Sequence, residues 1–128
     1  MTKRILVVDD QTDIREIVRM SLERFAGWTV LTASDGAEAV RLARTETLDG
    51  VLLDVMMPGT DGPATVSLLR AHPRATRLPI LLLTAKEMTR DDQPMARQLD
   101  IDGVVAKPFD PLTLADTIRS LLGWAGTP

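Results

Sequence analysis

Arg4-Ile5-Leu6-Val7-Val8-Asp9-Asp10 sets four consecutive apolar residues between a cation and two acids. A strand with one wet face would alternate apolar and polar residues. An uninterrupted run that stops at a charge is instead the pattern of a central strand covered on both faces, as parallel sheets are. Three later stretches repeat the arrangement: Leu48 to Leu53 stops at Asp54, Ile80 to Leu83 at Thr84, and Gly103 to Ala106 at Lys107. A fifth stretch, Trp28 to Ala33, mixes threonine with apolar residues and so reads as an edge strand.

The segments between these runs have helical period. After Asp10, the residues Ile14, Ile17, Val18, Leu22 and Phe25 recur at the spacing of a buried stripe, Arg15, Glu16, Arg19, Glu23 and Arg24 mark a wet face, and Gly27 ends the helix. Asp35 with Glu38 has the spacing of a capping box for a helix running to about Arg44. The turn-rich Pro58-Gly59-Thr60-Asp61-Gly62 precedes a helix with Pro63 in its first turn, stopping near Ala71. A helix is expected from about Thr89 to Leu99, with a late or distorted start because of Pro94. A last helix is predicted with Asp110 as its cap, Pro111 at its first position, Leu114, Ile118, Leu121 and Leu122 as its buried stripe, and Gly123 as its stop.

Five strands alternating with five helices make a three-layer, doubly wound α/β domain of (βα)5, flavodoxin-like type. Right-handed crossovers leave few arrangements, of which the parallel sheet order 2-1-3-4-5 fits best. In that order the chain reverses direction between the first and third strands, so Asp9, Asp10 and Asp54 flank the crevice where such sheets bind ligands. The 128 residues suffice for one domain with its own core, and the expected organisation is a domain over residues 1–124 with a tail over 125–128.

Composition removes several function classes. A net charge of −3 with both signs dispersed does not make the concentrated basic face of a direct nucleic-acid binder, and Arg70, His72, Arg74 and Arg77 read as a short solvated loop. With no cysteine there is no thiol catalysis, disulfide framework or cysteine-based zinc site. The apolar stretch after Lys3 and Arg4 is too short for a signal peptide, and no run approaches the roughly 20 residues of a membrane span. A soluble cytoplasmic protein is expected.

Each candidate residue alone has an ordinary explanation. Asp9 and Asp10 could cap the first helix, Asp54 could start a turn, Thr84 could be a strand-end hydroxyl and Lys107 a solvated charge. Together they make a specific chemistry. Three convergent carboxylates crowd negative charge, which a hard divalent cation relieves; Mg2+, or Mn2+, fits a site of carboxylates, waters and a phosphate oxygen. Lys107 could neutralise phosphoryl oxygens and Thr84 could donate to them. Asp54, standing alone at its strand end, is the best carboxylate nucleophile.

The stretches Ile5-Leu6-Val7-Val8-Asp9-Asp10, Leu53-Asp54-Val55-Met56-Met57-Pro58-Gly59-Thr60-Asp61-Gly62, Leu83-Thr84-Ala85 and Ala106-Lys107-Pro108-Phe109 resemble the receiver domain of bacterial two-component response regulators, in order and over essentially the whole chain. The resemblance implies that Asp54 accepts a phosphoryl group from a phosphohistidine on a sensor histidine kinase or histidine phosphotransfer protein. It further implies that Asp10 and Asp54 bind Mg2+ directly, that Asp9 helps through water, and that the Met56 backbone carbonyl completes the protein ligands. Lys107 would contact the phosphoryl group, with a cis bond to Pro108. Thr84 would turn toward the phosphoryl group and pass the change to a surface that a downstream protein reads. Such a domain is a signalling switch that assists its own phosphorylation and dephosphorylation, not an independent turnover enzyme. With Trp124 to Pro128 after the last helix, a stand-alone receiver is the first expectation, and a domain belonging to a longer regulator is the alternative.

The chain departs from the family pattern at Val104, where many receivers carry a tyrosine or phenylalanine three residues before the lysine. Valine has no ring to swing and a stiff χ1, so switching is expected to run through Ala85 to Asp92 and the Pro94 region. Met56 and Lys86, each two residues after a site residue, are candidates for tuning the lifetime of the phosphorylated state. Two rival readings remain: a binding module that keeps only the fold, and a flavin protein of the same topology. The second would need a phosphate loop rich in serine, threonine and glycine after the first strand, where this chain has Asp9-Asp10-Gln11.

Overall fold

The structure, a computed structural model, describes residues 2–54, 62–71, 77–85 and 101–124. Strands β1 (Arg4–Val8), β2 (Thr29–Ala33), β3 (Gly50–Asp54), β4 (Ile80–Ala85) and β5 (Gly103–Lys107) form one sheet in the order β2-β1-β3-β4-β5, every pairing parallel. The described helices are α1 (Thr12–Ala26), α2 (Gly36–Thr45), α3 (Gly62–Ala71) and α4 (Leu114–Leu122). The helix expected over 89–99 lies outside the described residues.

The apolar runs are uninterrupted because alternate residues of each strand feed two separate cores. Ile5, Val7, Leu52, Leu81, Leu83 and Val105 pack with Val18 and Leu22 of α1 and with Leu114, Ala115 and Ile118 of α4. Leu6, Val8, Val51, Leu53 and Leu82 face the other way, onto Ala39, Val40 and Ala43 of α2 and Val66 and Leu69 of α3. The domain therefore has three layers. Register follows the same logic: Val8 pairs with Leu53, so the residues that continue these two strands, Asp9 and Asp54, emerge side by side at the top of the sheet.

Four details differ from the sequence reading. Strand β3 starts at Gly50, because Asp49 is engaged with Arg4: its side-chain Oδ2 accepts the Arg4 N–H at 2.7 Å and its own N–H donates to the Arg4 carbonyl. Helix α4 starts at Leu114 rather than near Pro111. Asp110 Oδ1 accepts the Leu112 N–H at 2.9 Å and its carbonyl accepts from Thr113, so Asp110 caps one tight turn that precedes the helix. Ile17 and Phe25, expected in the α1 stripe, are 41% and 51% exposed, and Leu121 of α4 is 37% exposed. Ile17 and Phe25 line an open groove beside Pro111, whereas Ser21, on the same flank of α1, is buried and donates to the Pro111 carbonyl. Arg70 is not a loop charge: it lies in the last turn of α3, donates to the Leu78 carbonyl and meets Asp102.

Candidate functional site

The β1–α1 turn carries the first two acids. Asp9 is fully buried, and its N–H donates to the Ala33 carbonyl of β2 at 3.1 Å, which extends the sheet by one residue. Asp9 Oδ1 accepts the Gln11 N–H at 2.9 Å and Oδ2 accepts from Lys107 Nζ at 3.2 Å. The helix cap falls on Gln11, without a side-chain cap bond, so the two acids are not serving as the cap of α1. Asp10 is exposed at the mouth of the crevice.

Asp54 ends β3, is 2% exposed, and stands in register with Leu83 of β4. Lys107, at the end of β5, brings Nζ to 3.3 Å from Asp54 Oδ2, so one ammonium bridges Asp54 and Asp9, the latter 98 positions away from the lysine in sequence. One carboxylate oxygen each of Asp9, Asp10 and Asp54 lies within 4.8 Å of the other two. Three carboxylates facing one ammonium leave two formal negative charges among the described residues, the charge that a divalent cation would balance. Thr84 is buried on β4, one residue past Leu83 and in register with Ala106.

The structure thus gathers Asp9, Asp10, Asp54 and Lys107 at one point and sets Thr84 on the neighbouring strand end. The Lys107–Pro108 peptide is cis. Met56 and Lys86 lie outside the described residues, as does the 86–92 segment proposed for switching. Val104 is described: it pairs with Leu82 and packs at the edge of the core under α2 and α3.

One participant was not singled out from sequence. Arg15, assigned to the wet face of α1, turns back so that Nη1 donates to the Asp9 carbonyl at 2.6 Å and Nη2 to Thr12 Oγ1 at 3.1 Å. Nothing in the pattern of charges on α1 distinguishes it from Arg19 or Arg24, which follow the same helical spacing.

Comparison with known proteins gives a consistent picture. Residues 5–119 match the response regulator receiver domain family. The alkaline phosphatase synthesis transcriptional regulatory protein PhoP of Bacillus subtilis is 40% identical over 95% of this chain and 49% of its own length. The probable transcriptional regulatory protein TcrX of Mycobacterium tuberculosis is 38% identical over 95% of this chain and 50% of its own. The chain spans about half the length of these curated relatives. Among solved structures, the chemotaxis response regulator CheY4 of Vibrio cholerae superposes with a TM-score of 0.86 at 32% identity, covering 94% of this chain and 99% of that one. The receiver domain of the sensor histidine kinase PA1611 of Pseudomonas aeruginosa, with a magnesium ion coordinated in its active-site cleft, gives 0.82 at 28% identity, covering 96% of this chain and 99% of that one.

Proposed function

Because the chain belongs to the response regulator receiver family, we propose that it is a phosphorylatable signalling switch whose acceptor is Asp54. The observation that carries this reading is the Lys107 ammonium placed 3.3 Å from a buried Asp54 carboxylate and 3.2 Å from Asp9. A buried set of one lysine and two acids has little structural purpose that a wholly apolar set would not serve as well, since taking charges out of water is costly. It has a clear purpose if further negative charge is to arrive there.

In the proposed step an Asp54 carboxylate oxygen forms a bond to phosphorus as the phosphorus–nitrogen bond of a phosphohistidine breaks, and the bonding pair stays on the imidazole nitrogen. The product is an acyl phosphate. Lys107 offsets the charge of the phosphoryl oxygens, and the Thr84 hydroxyl donates to one of them, the positioning and charge stabilisation on which phosphoryl transfer depends. Mg2+ or Mn2+ would be held directly by Asp10 and Asp54, through water by Asp9, and by the Met56 carbonyl. A through-water role suits Asp9, both of whose oxygens already accept bonds from the protein. When bound, such an ion neutralises the carboxylates and the transferring group together. The magnesium ion in the Pseudomonas receiver supports this choice of cation.

The donor would be a sensor histidine kinase or histidine phosphotransfer protein, and the modified state would be read by a downstream protein. We take residues 1–124 as the receiver and the cytoplasm as its compartment; no described helix is long and apolar enough to cross a membrane. Mass spectrometry after incubation with a small phosphodonor and Mg2+ tests the reading. Wild type gains one phosphoryl group and Asp54→Asn gains none. No gain by wild type, from either a small donor or a phosphorylated kinase, would favour an unphosphorylated binding module.

A further inference from the structure

Asp10 differs from its two companions in how it is held. Asp9 and Asp54 are buried and bonded to Lys107, whereas Asp10 is exposed and its carboxylate has no partner among the described residues. Its own side-chain bonds therefore do not aim it at the cluster. The backbone does so instead, because the peptide groups on both sides of Asp10 are fixed. On one side the Asp9 carbonyl accepts from Arg15 Nη1 at 2.6 Å; on the other the Gln11 N–H donates to Asp9 Oδ1 at 2.9 Å. Arg15 is itself braced by Thr12 Oγ1 at 3.1 Å. Its guanidinium is thus a forked donor to one turn, and among the described residues it makes no hydrogen bond to a carboxylate.

From this geometry we propose that Arg15 is a positioning residue for the cation: it locks the Asp9–Asp10 peptide so that the Asp10 carboxylate is presented to a metal bound against Asp54. The inference rests on the metal-dependent reading above. It makes a counterintuitive demand, since Arg15 carries the same sign of charge as the ion it serves. A mere bystander cation near the site would repel the metal, and its removal would tighten binding. Removal of a residue that orients a ligand weakens binding, by about tenfold where outer-shell partners have been replaced. The two roles predict opposite signs.

Mn2+ titration calorimetry on the full chain separates them. For Arg15→Ala we expect Mn2+ affinity about tenfold weaker than wild type. Arg15→Lys, which keeps the charge and one donor but not the fork, should recover part of the loss. With a small phosphodonor, the Mg2+ concentration giving half-maximal phosphorylation should rise by the same factor in Arg15→Ala while the rate at saturating Mg2+ stays unchanged. A general loosening of α1 would not produce that split. Unchanged or tighter Mn2+ binding by Arg15→Ala overturns the role of Arg15 and leaves the site intact; a wild type that binds no Mn2+ overturns both. If Arg15→Ala does not fold, Arg15→Lys binding Mn2+ as tightly as wild type is the overturning result.

Discussion

At the N-terminal ends of the strands, Asp102 Oδ2 accepts the Ile80 N–H at 2.8 Å and meets Arg70 Nη2 at 3.4 Å, while Arg4 Nη2 meets Glu46 at 3.2 Å and the Arg4 N–H donates to Asp49. At the C-terminal ends, Asp9, Asp10 and Asp54 crowd together around Lys107. The same five strands run through both ends, so the difference is not one of fold. One end matches each acid to a base or a backbone N–H and so serves stability. The other carries surplus negative charge and so stores a demand for a ligand.

If that contrast is right, substitutions at the two ends should separate function from stability. The largest effect is expected for Lys107→Ala, which leaves Asp9 and Asp54 facing each other in a buried site. Loss of one member of a buried charge pair costs about 3 kcal/mol where, as here, one partner retains some solvent. Urea midpoints should show that loss, and Mg2+ should restore part of it, because the ion replaces the missing positive charge. Restoration by ten times its dissociation constant amounts to about 1.4 kcal/mol. A Lys107→Ala protein as stable as wild type without metal would break the comparison.

A smaller effect is expected at the opposite end. Asp102→Ala deprives the Ile80 N–H and the Arg70 guanidinium of an acceptor, costing about 2 kcal/mol in urea unfolding. Phosphoryl uptake at Asp54 should be unchanged, and a loss of uptake would show that the two ends are coupled.

The smallest effect is expected on the outer face of α1, at the Glu16–Arg19 pair. The Arg19 hydrogen bond and charge hold the Glu16 carboxyl below its ordinary range. Linkage then gives a stabilisation present above the unfolded-state value and lost as the pH falls through the lowered folded-state value. Both side chains are exposed, so solvent screens the pair. Glu16→Gln should leave the urea midpoint within error at neutral pH and in acid alike.

Much of this was legible in the chain because a parallel strand buried on both faces writes itself as an unbroken apolar run. The runs ending at Asp9, Asp54, Thr84 and Lys107 therefore located four of the strands, and the right-handed crossover rule then supplied the order that brings their polar ends together. Periodicity was less informative about where neighbours stop. Ile17 and Phe25 have the spacing of core residues, yet the groove beside Pro111 leaves them uncovered. Asp110 has the composition of a helix cap but closes a separate turn, because its first acceptor bond is to Leu112 within that turn. Arg15 was missed for a different reason: its partner is a main-chain carbonyl, and any residue could have supplied that group.

The two tryptophans of the chain also lie at the end of the sheet far from Asp54. Trp28 and Trp124 meet edge to face with ring centroids 5.4 Å apart, Arg119 lies over Trp28 and Lys3 over Trp124. Trp124 reaches the start of β3, where a Cβ on Gly50 would lie 3.5 Å from its ring, and Asp54 stands four residues on, about 13 Å along the strand. The chain has no tyrosine, so its near-ultraviolet emission comes from this pair. The molecule therefore carries an optical gauge of unfolding that is placed to ignore what happens at Asp54. Because the chain also has no cysteine, one thiol introduced beside the crevice could take a dye and report on the other end independently.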